Sequence, residues 1–244
     1  MNPGRTSATA GRVLRQLAHD PRSIALMLVA PSLLVGLFAW LFSDREGVFD
    51  QFGAPILALF PFIVMFVVTS VTTLRERRSG TLERLMTTPL GKADLILGYA
   101  LAFGLMATVQ AVVTVAFAVG VCGLGVEGPL WQLGLVAVVD ALLGTALGLL
   151  ASAFARTEFQ AVQFLPVLVF PQILLGGLFL PRDQMPDVLR VVSDWLPLSH
   201  AIDAIDAVTA GDEGRDVYGP LAIVLAFVVG CLVLASLTLR RRTP

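Results

Sequence analysis

Residues 95–126 read LILGYALAFGLMATVQAVVTVAFAVGVCGLGV, 32 consecutive positions without one charged side chain. A helix needs about 20 apolar residues to cross about 30 Å of hydrocarbon, so this run spans a bilayer with residues to spare. It lacks the period-two alternation of a membrane strand. The same reading extends outward along the chain. Residues 24–42, 51–74, 159–181 and 217–239 are uncharged, and residues 128–155 hold one charge, Asp140. The expected fold class is therefore an all-α membrane protein, one domain over 1–244 with six transmembrane helices. Trimmed at their polar ends, the spans fall at about 24–42, 54–74, 95–122, 129–155, 159–180 and 219–239.

Composition agrees. Charged residues make up 14% of the chain and hydrophobic ones 56%, with mean hydropathy +0.82. Soluble domains carry about 25% charged residues, so a soluble globular enzyme and a disordered chain are both excluded. Cys122 and Cys231 sit in apolar runs without metal-ligand spacing and read as free thiols. The first run is longer than a signal peptide's apolar core, and bulky Trp40, Leu41 and Phe42 stand where a cleavage site would be. A retained anchor is expected.

Basic residues set the orientation. Arg5, Arg12, Arg15, Arg22, Arg75, Arg77, Arg78, Arg84, Lys92, Arg156, Arg240, Arg241 and Arg242 fall on the side shared by both termini. Arg45, Arg182, Arg190 and Arg215 fall on the other side, which carries 12 of the 18 acids. The positive-inside rule then places both termini in the cytoplasm.

Three segments lie outside the spans. Residues 7–20, within a cytoplasmic segment 1–23, read as an amphipathic helix with Val13, Leu14, Leu17 and Ala18 on one face and Arg12, Arg15 and His19 around the other. The second-to-third connection, RERRSGTLERLMTTPLGKAD over 75–94, opens with so many charges that it is expected in water. Gly80 ends the preceding helix, and 81–86 forms a short turn with Leu82, Leu85 and Met86 opposite Glu83 and Arg84. Residues 181–216 show two apolar sets at helical spacing, Val188, Val191, Val192 and Trp195, then Leu198, Ala201, Ile202 and Ile205. Two short re-entrant helices at the outer surface are expected.

Little here points to chemistry. No G-x-x-x-x-G-K-[ST] phosphate loop occurs, so any ATP is handled by another subunit. Gly123, Gly125 and Gly128 spell G-x-G-x-x-G, but in a turn between spans with no strand before it. His200 and Asp203 lack a convincing nucleophile, Ser193 and Ser199 being weak candidates, and no histidine has a partner at metal spacing. Asp140 is the one acid deep in a span. Its expected role is either a place on a transport path or a hydrogen bond to a neighbouring helix through Gln110 or Gln163. Gly144-x-x-x-Gly148, one turn on, favours close helix packing. Pro31, Pro55, Pro61, Pro166 and Pro171 predict kinks.

Two stretches carry a family resemblance. Glu76-Arg77-Arg78-Ser79-Gly80-Thr81-Leu82-Glu83-Arg84-Leu85, with Thr88-Pro89-Leu90 and Leu97-Gly98-Tyr99, resembles the inner loop of ABC type 2 permeases, including those of daunorubicin-resistance and multidrug efflux systems. The stretch 176–181, Met185-Pro186 and 196–201 resembles their last outer loop. The resemblance implies a permease subunit of an ATP-driven exporter in the bacterial inner membrane, moving a small amphipathic drug, antibiotic or lipid-like substrate. The N-terminal helix, with Arg12, Arg15 and Leu17, would be the connecting helix. A cytoplasmic coupling helix lies within 80–88, and Glu76, Arg77, Gly80, Thr81, Leu82, Glu83, Arg84 and Leu85 would couple to a cytoplasmic ATP-binding subunit. ATP and Mg would sit on that partner, with no cofactor on this chain. A second permease half, identical or related, and membrane lipids complete the implied partners; nucleic acid is not among them. Phe60, Phe62, Met65, Phe66, Phe164 and Phe170 are the apolar residues from which a path would be lined. The competing class is an ion-coupled secondary transporter or membrane enzyme without an ATPase partner. It calls for several intramembrane charges or repeats, where this sequence shows one acid and no repeat.

Overall fold

The computed structural model describes residues 2–45, 47–78, 91–212 and 214–238. The described residues are helices and short connections, and six helical spans are long and apolar enough to cross a membrane. The chain is thus a multi-pass all-α membrane protein.

Helix α1 is Pro3–Ala18, starting ahead of the expected position. Asn2 caps it by accepting from the Gly4 amide, and Pro3 supplies the fixed φ suited to a first turn. Asp20 and Pro21 repeat that signal and start α2, Pro21–Leu41. Next come α3, Val48–Arg78, α4, Lys92–Gly120, and α5, Leu130–Phe154. The fifth apolar run is broken rather than continuous. It forms α6, Glu158–Leu168, and α7, Phe170–Leu175, because Pro166 and Pro171 each remove a helical amide. It ends at Leu175 and not at 180, since Gly177 takes φ +99° and turns the chain. A 3-10 turn, Arg182–Gln184, leads to α8, Asp187–Asp194, and α9, Pro197–Thr209, and α10, Arg215–Thr238, closes the chain.

Helices α3 and α5 lie side by side at the centre, flanked by α4, α9 and α10. Their approach rests on glycine. A Cβ at Gly148 would fall 2.6 Å from the Phe66 carbonyl oxygen, and one at Gly144 would collide with the Phe62 carbonyl. α9 re-enters the bundle and buries Leu198, Ala201, Ile202, Ile205 and Val208 against α3, α5 and α10. α8 stays at the surface with Val188, Val191 and Trp195 exposed. The exposed leucines and valines of α2, α4 and α10 are the faces a bilayer solvates.

Candidate functional site at the basic end of the bundle

The last turn of α3 holds four consecutive charged residues, of which Arg75, Glu76 and Arg77 point three ways, because successive helical side chains are about 100° apart. Arg75 reaches Glu158 at the start of α6, with nitrogen–oxygen distances of 3.1 and 3.0 Å. Glu76 accepts from Arg12 of α1 at 3.3 and 3.0 Å and from the Tyr99 hydroxyl of α4. Arg77 donates to the Ser152 carbonyl near the end of α5. One helix end thereby holds four neighbouring helices.

The carboxylate of the central pair is buried, and its guanidinium partner is half-buried. Glu76 is 3% exposed, whereas a charge run of this kind predicts a solvated position. The reason lies in its partners. Arg12 makes two bonds to the carboxylate, adds one to the Tyr99 hydroxyl at 3.1 Å, and lies 5.8 Å from the centre of that ring. Partial burial pulls the Arg12 pKa down, but the Glu76 hydrogen bond and the negative charge around it outweigh this. The guanidinium is held above its ordinary value.

The other residues of the expected connecting helix divide by face. Leu17 is in the core, and Arg15 is exposed with Nε donating to the Gly11 carbonyl at 3.2 Å. α1 is seated on α4, with Thr6, Thr9 and Val13 buried. Gly98, part of the motif shared with the permeases, forms that seat together with Asp94, which no sequence rule singled out. Gly80, Thr81, Leu82, Glu83, Arg84 and Leu85 lie outside the described residues.

Asp140 is 1% exposed, and neither of its carboxylate oxygens has a hydrogen-bond partner among the described residues. The expected bonds through Gln110 or Gln163 do not form. Gln110 is buried with its own amide unpartnered, and Gln163 faces outward. The apolar residues from which a path was expected do not share a surface either. Phe62, Met65 and Phe66 are wholly buried in the core, whereas Phe170 is exposed. A cavity of about 660 Å³ opens elsewhere, between α5, the α6–α7 break and α10, walled by Leu147, Leu168, Pro171, Phe227 and Leu234.

At the opposite end, Arg182 pairs with both Asp194 of α8 and Asp203 of α9. His200 is held at Nε2, 2.9 Å from the Asp194 carbonyl oxygen, and Ser193 donates to the Leu175 carbonyl at 2.6 Å. These groups tie α8 and α9 to the end of the fifth span, and among the described residues no nucleophile is bonded to His200. Beside them Asp203, Asp206, Asp212, Arg215 and Asp216 line a cleft of about 640 Å³.

Comparison with known proteins gives the arrangement a context. A family model described as "ABC-2 type transporter" matches residues 5–209. ABC transporter G family member 20 of Dictyostelium discoideum is 25% identical over 205 residues, covering 82% of this chain and 28% of that protein. The probable multidrug ABC transporter permease YbhR of Escherichia coli is 29% identical over 175 residues, covering 70% of this chain and 48% of that protein. The linearmycin resistance permease protein LnrN of Bacillus subtilis is 26% identical over 172 residues, covering 68% and 44%. The chain thus spans about half the length, or less, of the curated relatives it matches.

Proposed function

The chain belongs to the ABC-2 type transporter family, and on that premise we propose that it is the permease subunit of an ATP-driven exporter. A separate cytoplasmic subunit binds ATP with Mg, a second permease half completes the transporter, and an amphipathic compound is the cargo. The basic end of the bundle faces the cytoplasm of a bacterial cell, as the distribution of arginines favours.

The observation that carries this reading is the hub at 75–77. It lies directly before the segment 79–90, which holds the motif expected to meet the ATPase. A displacement of that segment acts on α3 first. Through Glu76 it acts at once on α1 and α4, through Arg77 on α5, and through Arg75 on α6. α3 and α5 continue to the far end, where α9 packs on both. Nucleotide drives transport by binding the ATPase subunit more tightly when these helices stand in one arrangement than in the other, and it needs no further wire between the sites. The names of the relatives, a multidrug permease and a linearmycin resistance permease, support an amphipathic cargo.

The test is purification of the tagged chain from native membranes in mild detergent, with ATP hydrolysis measured on the product. A stoichiometric ATP-binding subunit is expected. Glu83→Lys and Arg84→Glu are expected to lose it while all six spans still insert. Recovery of the chain alone in several detergents would overturn the reading in favour of a carrier working without an ATPase.

A further inference from the structure

Asp94 stands in the first turn of α4 and serves two helices. Its Oδ2 accepts from the Gly91 amide at 3.4 Å, closing the start of its own helix. Its Oδ1 accepts from the backbone amide of Asn2 at 2.9 Å and lies 3.5 Å from the Thr6 hydroxyl, so it also holds the start of α1. Helix starts gather unpaired amides and partial positive charge, and a carboxylate is the side chain that answers both. The residue is buried, at 4% exposure.

Further contacts extend this register. A Cβ on Gly98 would fall 2.5 Å from Thr9 Cβ and 3.1 Å from the Thr6 carbonyl oxygen, so α1 touches the α4 backbone there. Next to it, Tyr99 meets Arg12. Positions 2 and 6 thus meet 94, position 9 meets 98, and position 12 meets 99. The two helices run in the same direction and are fixed at three levels, and Gly91 adjoins the connecting segment 79–90.

We propose that Asp94 is a positioning residue that locks the N-terminal helix to the exit of that connecting segment, so that α1 and the start of α4 move as one body. A joint with play would absorb a displacement of the segment. A locked one delivers it to both helices, and through Arg12 to Glu76 of α3. What drives the motion rests on the function proposed above; the lock itself does not.

The test uses the full chain in lipid nanodiscs, with Cys122 and Cys231 replaced by alanine and spin labels at Ser7 and Leu101, both exposed. A single narrow distance distribution is expected for the parent. Asp94→Ala is expected to broaden it or split it. Asp94→Asn falls between, since one amide oxygen still accepts from Asn2 but the amide nitrogen cannot accept from Gly91. An unchanged distribution in Asp94→Ala would overturn the lock; if that variant does not insert, an unchanged distribution in Asp94→Asn does so. A second measurement uses the chain with its ATP-binding subunit and a cysteine introduced at Val192 on α8. In the parent, ATP is expected to change the rate at which a maleimide labels that cysteine. Asp94→Ala is expected to keep complex recovery and ATP hydrolysis but to reduce this ATP effect about fivefold, the population factor that accompanies loss of one helix cap. An undiminished ATP effect would overturn the positioning role. Absence of any ATP-binding subunit would overturn the exporter reading and leave the distance measurement to decide the lock.

Discussion

Arg12 Nη2 lies 3.0 Å from Glu76 Oε2, joining the first helix to the end of the second span across 64 residues of chain. The Tyr99 hydroxyl completes the set by contacting both residues. A pair with one buried member is weak evidence for net stability, because desolvation of the carboxylate offsets much of the attraction. Its consequence is geometric. Any movement that separates α1 from α3 leaves a carboxylate buried without its partner, so the two helices stay together.

Removing one member should therefore cost far more than removing both. Arg12→Ala is expected to lower stability by about 1–3 kcal/mol, since Glu76 keeps Tyr99 and water reaches the half-buried guanidinium, whereas Arg12→Met with Glu76→Leu regains most of the loss. Thermal unfolding in detergent would measure this. Glu158→Gln provides the contrast. Arg75 and Glu158 are 63% and 43% exposed, so that pair is worth at most about 1 kcal/mol. Equal losses from Arg12→Ala and Glu158→Gln would show that the Glu76 site is wet.

The α3–α5 contact makes a second prediction with an internal control. Gly144→Ala and Gly148→Ala place a methyl group against the Phe62 and Phe66 carbonyls, and overpacking of this sort costs about 1–3 kcal/mol each. Gly134 is in the same helix with nothing within 4 Å of its Cβ position. Gly134→Ala is expected to be neutral or to gain up to about 1 kcal/mol from helix propensity. Three equal effects would remove close backbone approach as the reason for the glycines.

Much of the fold is legible in the residues, and for clear reasons. Twenty uncharged positions in a row have few uses outside a bilayer, so the spans are visible without any partner. Gly144 and Gly148 were readable because four-residue spacing stacks them on one face, and Pro166 and Pro171 because each lacks an amide. The start of α1 was also written in Asn2-Pro3, although the apolar stripe alone places it later. The site is less legible. Glu76 sits in a run of arginines and reads as solvated, since nothing nearby reveals a guanidinium 64 residues away that buries it. Asp94 looks like an ordinary first-turn acid, and Gly98, although it falls in the motif shared with the permeases, gives no sign of the helix that is laid on it. Long-range pairing of this kind leaves no local period, and the expected motif at 80–85 falls outside the described residues.

Asp140 yields a third prediction. Both its oxygens are buried and unpartnered among the described residues, and such groups carry a desolvation penalty that a nonpolar substitute removes. Asp140→Val, similar in size, is expected to keep stability or raise it by about 1–3 kcal/mol. Transport measured in the same variant separates the two roles given to this residue. Gained stability with intact transport leaves Asp140 structurally and functionally dispensable. Gained stability with transport lost assigns it to the path.

The outer cleft should respond to pH through Asp206. Loss of hydration, and then the charge of Asp203 one turn away, push its carboxyl up to about 7. Asp203 itself is raised by burial, with Arg182 and His200 pulling it back. Asp212, Arg215 and Asp216 are the other charged groups lining the cleft. An unfolded carboxyl titrates near about 3.9, so between that pH and 7 the native chain holds a proton that the unfolded chain has lost. The stabilising contribution of this proton is complete below about pH 4 and fades as pH rises through 7. Asp206 is exposed, so water screening weakens the effect and confines it to local opening rather than global unfolding. Amide exchange over 197–209 should therefore quicken between pH 5 and 8 beyond its intrinsic rate. Asp206→Asn should remove most of that excess, with Asp203 supplying what is left. The same excess in Asp206→Asn as in the parent would mean that another group in the cleft carries the titration.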